Sequence, residues 1–150
     1  MKKVLSILFA ALFLLVLIPS APVKAETTTD VVYFEDGSYV VTVLQEYSTR
    51  SSNQKTASKS STLHDPNGGS VATLTVRGTF RYDGTTATCT ASTYTHQIHN
   101  SSWSLSSGSA SKSGNTATAK GTFARKVLGI TVDSKTLTVS LSCDKNGNLS

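Results

Sequence analysis

Beyond its first 25 residues this chain is poor in the residues that build catalytic centres and charged interfaces. Glutamate there is limited to Glu26, Glu35 and Glu46, and aspartate stands mostly in turn sequences (Asp36, Asp65, Asp83). A carboxylate pair flanking a glycosidic bond is hard to assemble from such a set. No G-x-S-x-G elbow occurs, so the many serines read more simply as exposed strand positions than as nucleophiles. Cysteine occurs only as Cys89 and Cys143, too few for a structural zinc site. Basic residues are spread thinly between Arg50 and Lys145, and only Arg125 and Lys126 are adjacent. A nucleic-acid partner needs a denser cluster than that. Helix signals are nearly absent too. These shortages argue against an enzyme, against a metal or other cofactor, and against nucleic acid as a partner.

The first 25 residues hold what the rest lacks, a long apolar run. Lys2 and Lys3 lead into Val4 to Ile18, followed by Pro19 and the small-residue site Val23-Lys24-Ala25. This is the layout of a secretory signal peptide, with a cut expected after Ala25. The run is shorter than the roughly 20 residues that span a bilayer. The expected organisation is a helical signal peptide over residues 1–25 and a secreted domain over 26–150, with no membrane anchor after cleavage. Removing Lys2, Lys3 and Lys24 from the 14 basic residues, against 9 acidic ones, lowers the formal charge from +5 to +2. In an exported chain the two cysteines read as a disulfide, Cys89 to Cys143. Such a bridge closes a loop of about 55 residues, for which chain entropy predicts about 4 kcal/mol of stabilisation.

The secreted portion is rich in Ser, Thr, Val, Ala and Gly in period-two alternation, punctuated by turn dipeptides. Val31 to Phe34, Asp36-Gly37 and Tyr39 to Tyr47 predict a hairpin with a type I′ turn. Ser48 to Thr62 is polar and reads as a loop or an exposed edge strand. Asp65-Pro66-Asn67-Gly68-Gly69 is a strong turn. After it Ala72, Leu74, Val76, Gly78, Phe80 and Tyr82 share one parity, opposite Val71, Thr73, Thr75, Arg77, Thr79 and Arg81. Asp83-Gly84 turns the chain into Thr86 to Thr95, with Ala87, Cys89 and Ala91 inward and Thr86, Thr88, Thr90 and Tyr94 outward. Trp103 and Leu105 open a further inward face. Gly114-Asn115 is another tight turn, and Ala117, Ala119, Gly121 and Phe123, then Leu137, Val139, Leu141 and Cys143, complete the alternation. Seven to eight short strands with frequent turns predict an all-β, antiparallel β-sandwich.

Cys89, Trp103 and Cys143 resemble the immunoglobulin arrangement, in which a core tryptophan packs on an inter-sheet disulfide. Leu141 stands where that family carries a tyrosine, and seven residues follow Cys143. A second resemblance rests on three blocks. They are Gly78-Thr79-Phe80-Arg81-Tyr82-Asp83-Gly84 with Ala87-Thr88-Cys89-Thr90; Trp103 with Ser109-Ala110-Ser111-Lys112-Ser113-Gly114-Asn115-Thr116-Ala117; and Leu141-Ser142-Cys143-Asp144 with Asn146-Gly147-Asn148-Leu149-Ser150. Together they resemble a family of small secreted proteins of Gram-positive, clostridia-like bacteria whose function is unassigned. That resemblance implies export, size and the cysteine pair, and supplies no catalytic residue.

Few residues remain as candidates for function. His96 and His99 form an H-x-x-H pair without a third metal ligand, and His64-Asp65 lies elsewhere. Tyr94, outward by parity and beside the histidines, is placed to stack on a sugar ring. Tyr94, His96 and His99 are therefore the candidate ligand-binding residues. Thr86/Thr88/Thr90, Thr116/Thr118 and Thr136/Thr138 suggest hydroxyl ladders, although threonine is also an ordinary solvent-facing strand residue. Asp144 to Asn148 reads as a tight turn and not as a calcium loop, which needs a distal glutamate. The expected function is a secreted, non-enzymatic binding module at or outside the bacterial cell envelope, with a cell-wall glycan or an extracellular protein as partner. The alternative is a secreted effector, such as an antagonistic toxin or a protease inhibitor. An enzyme comes third, and requires His64, His96 or His99 to meet Asp65 or Asp133 in one pocket.

Overall fold

Alternation of apolar and hydroxyl side chains is realised as eight strands in a computed structural model that describes residues 27–47 and 53–150. The expected signal peptide and its cleavage site lie outside the described residues. The strands are β1 (Thr27–Tyr33), β2 (Tyr39–Tyr47), β3 (Gln54–His64), β4 (Ser70–Tyr82), β5 (Ala87–Ile98), β6 (Trp103–Ser113), β7 (Thr116–Val127) and β8 (Ile130–Ser142). They form a five-stranded sheet, β1-β2-β3-β4-β5, and a three-stranded sheet, β6-β7-β8, antiparallel throughout. The protein is an all-β antiparallel sandwich, as the alternation predicts.

The immunoglobulin expectation does not hold. Within each sheet every strand pairs with its neighbour in sequence, so the sheets are meanders without the Greek-key return of that fold. Trp103 opens β6, whereas Cys89 and Cys143 lie by the turn that follows it, at the far end of the same strand. The N–H of Cys89 donates to Gly114 O (2.8 Å) and that of Cys143 to Asn115 O (3.1 Å).

The expected disulfide is absent: both cysteines are free and buried. Each thiol turns to a carbonyl close by in sequence, Cys89 Sγ to Ala91 O (3.3 Å) and Cys143 Sγ to Asp144 O (3.5 Å). Inward parity brings both into the core, but from different sheets and on opposite sides of the Gly114-Asn115 turn. Burial pushes both thiols above the usual cysteine range.

The core lies between the sheets. Phe80, Leu74, Val76 and Leu63 from the larger sheet meet Phe123, Leu141 and Val139 from the smaller, with Ala57, Ala72, Ala117 and Ala119 between them. Gly78 makes room for this packing, because a Cβ there would lie 2.5 Å from the Phe80 ring. β3 is the third strand of five, with Ala57 and Leu63 buried. Its reading as a loop or exposed edge is therefore corrected. Its serines and threonines are tolerated because hydroxyls pair across the strands, as Thr42 with Ser61 (2.8 Å) and Ser60 with Thr75 (2.8 Å).

Two register breaks overturn parity assignments. Between β4 and β5 the pairing passes from Thr79↔Ala91 to Phe80↔Cys89, leaving Thr90 as the extra residue of a bulge. From Ala91 onward the faces exchange, so Tyr94 points inward and packs against the core. It lies over Gly108 of β6, where a Cβ would sit 2.6 Å from the tyrosine hydroxyl. Between β3 and β4 the pairing skips Val71, which is buried although its parity is that of the polar face. The first hairpin turn also differs from expectation. Gly37 N–H donates to Phe34 O (3.1 Å), and only Gly37 has positive φ, so Glu35-Asp36-Gly37 is a three-residue loop and not a type I′ turn.

Two outcomes follow from this packing. A thiol titration should find no reactive cysteine in the folded protein and two after denaturation, and no mass change on reduction; a bridged peptide linking Cys89 to Cys143 would overturn this. Phe123→Ala should lower the unfolding free energy by about 3–5 kcal/mol in a urea titration, because it empties a fully enclosed site.

Candidate functional site

An up-and-down meander sends alternate turns to the same end of the sandwich. The β1–β2, β3–β4 and β7–β8 turns and the β5–β6 connection therefore gather at one end. The β7–β8 turn is Leu128-Gly129, with φ of 51° and 81°, closed by the pair Val127↔Ile130. This is the two-residue type I′ geometry that asparagine and glycine normally fill. Leucine in the left-handed region costs about 1–2 kcal/mol. Leu128 nevertheless occupies the apex with 98% of its surface exposed.

It is not alone. Among the described residues, all the exposed large hydrophobic side chains are Val31, Val32, Tyr33, Phe34, Val127, Leu128, Ile130 and Val132. Every one lies on the β1–β2 or β7–β8 hairpin at this end. Single exposed apolar residues are ordinary, whereas their gathering on one part of a surface marks a contact site. Arg125 and Lys126 flank the tip. Tyr33 (5.4 Å between ring centroids) and His64 (4.7 Å) pack on either side of Tyr39 and extend the aromatic surface.

Between the two hairpins lies a cleft of about 230 Å³, floored by Leu63, Val71 and Trp103 and rimmed by charged groups. Lys135 bridges it by pairing with Asp36, and its Nζ lies 5.2 Å from the centroid of the Phe34 ring. Asp36 also accepts from the Ser38 N–H (3.0 Å). The hydrogen bond from Lys135, reinforced by Ser38, holds the Asp36 carboxyl down to about 2.

His64, Asp65 and Asp133 line this same cleft. The structure thus brings together residues that the catalytic alternative requires, but each is committed locally. His64 Nδ1 lies 3.3 Å from Gly68 O, with the ring stacked on Tyr39. Asp65 Oδ1 accepts the N–H groups of Asn67 and Gly69 (2.9 Å each), and Asp133 Oδ1 that of Ser134 (2.7 Å). No hydrogen bond joins His64 to either carboxylate among the described residues.

The candidate residues Tyr94, His96 and His99 are not brought onto one face. Tyr94 is turned into the core by the Thr90 bulge. His99 Nε2 pairs with Thr73 Oγ1 (2.9 Å), while exposed His96 stands opposite Leu74. No three His, Cys, Asp or Glu side chains converge among the described residues as a metal would require. The threonine ladders are partly realised. Thr116 pairs with Ser142 (2.9 Å), Thr118 with Ser140 (3.2 Å) and Thr122 with Thr136 (3.0 Å), so these hydroxyls satisfy one another on the outer face of the small sheet. Thr86 instead caps the Asp83 turn and Thr90 occupies the bulge. Asp144 to Asn148 is a tight turn, its carboxylate accepting the N–H groups of Asn146 and Asn148 (2.8 Å each).

Comparison with protein-family models, curated proteins and solved structures finds no match. Sequence reasoning missed the apolar end, although Val127-Leu128-Gly129-Ile130 carried a signal: a turn glycine set among large apolar residues with no polar turn former.

The Asp36–Lys135 tie has a defined pH response. Its folded-state value of about 2 lies below the ordinary 3.8, so the tie is fully present above about pH 4 and is lost as pH falls through about 2. An NMR titration of the Asp36 carboxyl should show a midpoint near 2. Lys135→Met should raise that midpoint towards 3.8; an unchanged midpoint would refute the assignment.

Proposed function

We propose that this protein is an exported binding module that works at or outside the cell envelope through surface contact, without chemistry of its own. The observation that carries this reading is the gathering at one end of the sandwich of all eight large hydrophobic side chains that are exposed among the described residues. A soluble fold gains nothing from a leucine at positive φ with its side chain in water, so the strain at Leu128 is the kind kept for a contact. Val, Leu and Ile dominate the patch, and aliphatic surface suits a protein partner better than a sugar. We therefore take an extracellular protein, and not a cell-wall glycan, as the partner class. Export is supported by the signal-like residues 1–25 and by the resemblance to small secreted proteins.

The test pairs location with contact. The protein recovered from culture medium should begin at Glu26 by mass spectrometry. Purified protein should be retained by an extracellular protein fraction and not by peptidoglycan. Replacing Leu128 by Asn and Ile130 by Thr should abolish that retention without lowering stability, because both side chains are exposed and Asn suits the left-handed position. Equal retention of the native and substituted proteins would sink the proposal.

A further inference from the structure

A second surface is created by the unequal widths of the sheets. β8 packs over β3 and β4, and β6 over β5, so the sandwich is closed on the β5/β6 side. On the opposite side β1 and β2 project past β8 by two strand widths, about 10 Å. Under this overhang runs a groove of about 740 Å³, walled by Leu44, Thr42, Ser61 and Lys59, with Asp30 of β1 opposite Thr42 at its outer side, and edged by Thr138 to Ser140 of β8 and by Leu149 and Ser150. None of its lining residues belongs to the apolar end.

We infer that this groove receives one extended peptide segment, hydrogen-bonded antiparallel to the free edge of β8 and carrying an acidic side chain opposite Lys59. Three observations carry the inference. The first is the edge itself. Among the described residues β8 pairs only with β7 within the sheets, and a short piece of this chain already docks on its end. Ser142 and Ser150 exchange two hydrogen bonds (2.9 and 3.0 Å), and Cys143 opposes Leu149, antiparallel. Because Ser142 turns its N–H and C=O outward, the period of two turns those of Ser140 and Thr138 outward as well, into the groove.

The second observation is the overhang, which selects the occupant. A second copy pairing edge to edge through β8 would bring its own β3, which lies over β8, into the space held by β2. A second copy docked in this way is thus excluded, while a lone strand fits beneath the roof. Its inward side chains would meet Leu44, Thr42 and Ser61, small or apolar, and its outward ones would join the hydroxyl face of β6–β8. This is strand addition, with backbone bonds for affinity and alternate side chains for selectivity.

The third is Lys59. It lies on the inward face of β3, between Leu44 and Val76 in register. Lys55 on the same face is paired with Glu46, but Lys59 has no ion-pair partner among the described residues. A half-buried ammonium facing an open strand site is matched by a carboxylate on the incoming segment.

The probes are two blocked seven-residue peptides alternating valine and threonine, one with glutamate and the other with lysine at a central valine position. At about ten times its Kd, the glutamate peptide should slow amide exchange at Thr138 and Ser140 about tenfold. The native protein should prefer it about fivefold over the lysine peptide, and Lys59→Glu should reverse that order. Thr138→Pro should abolish binding while leaving the β spectrum and cooperative unfolding in place, since an edge strand accepts proline. The inference is overturned if neither peptide at millimolar concentration slows Thr138 and Ser140, or if both bind equally to the native and Lys59→Glu proteins. Should Thr138→Pro fail to fold, the charge reversal at Lys59 still decides. Because the groove shares no residue with the apolar end, failure here leaves the proposed function standing, and the reverse.

Discussion

Everything in this molecule depends on two sheets approaching closely enough to share one layer of side chains. Stacked sheets lie about 10 Å apart, and that spacing is reached only if large residues on one face meet small ones on the other. Here Phe80 and Phe123 provide the bulk, while Gly78, Ala117, Ala119 and Gly121 leave the room. A Cβ on Gly121 would lie 3.1 Å from Leu74 and one on Gly78 would strike the Phe80 ring. The buried layer therefore has a definite extent. It ends where the smaller sheet ends, and both proposed contact surfaces begin at its margins.

Those margins differ in chemistry because they differ in how the layer stops. At the hairpin end the β7–β8 ribbon runs beyond the core, so residues that would be core elsewhere, Ile130 and Val132 among them, stand in water. On the β1/β2 side the larger sheet outruns the smaller laterally, exposing an inward face that is only mildly apolar beside a strand edge. The first arrangement offers side-chain contact and the second offers backbone hydrogen bonds. Both outer faces, by contrast, are coated with hydroxyls that bond across the strands, as between Thr62 and Thr73 (2.9 Å) or Thr116 and Ser142 (2.9 Å). Mutual satisfaction lets so serine- and threonine-rich a chain keep half-buried polar positions, although the buried Ser92 Oγ is left without a hydrogen-bond partner.

How far the sequence could be read depended on whether local pattern and tertiary register agreed. Where alternation ran unbroken, as along Ala72 to Phe80 and Leu137 to Cys143, both strand and inward face were legible. The inward turn of Tyr94 is not legible locally, because one extra residue, Thr90, exchanges the faces of β5 after the bulge and nothing in the local sequence marks it. The interior place of β3 is likewise hidden, because its inner positions include Ser61 and Lys59, which polarity alone assigns to solvent. The cysteines had inward parity, as expected, but parity fixes only the side of a sheet. Whether two thiols meet depends on where the strands cross, and here the Gly114-Asn115 turn stands between them.

By itself, then, the sequence determined the periodicity-driven properties: an all-β fold, antiparallel hairpins at its glycine-bearing turns, and a core of alternating aliphatic, alanine and phenylalanine positions. These follow from period two and turn chemistry, which act within a few residues. The tertiary structure alone decided the division into five and three strands, the inward turn of Tyr94, the separation of Cys89 from Cys143, and the gathering of Val31 to Phe34 with Val127 to Val132. Each depends on register and on which elements become neighbours, quantities set by the packing of distant segments and carried by no local pattern.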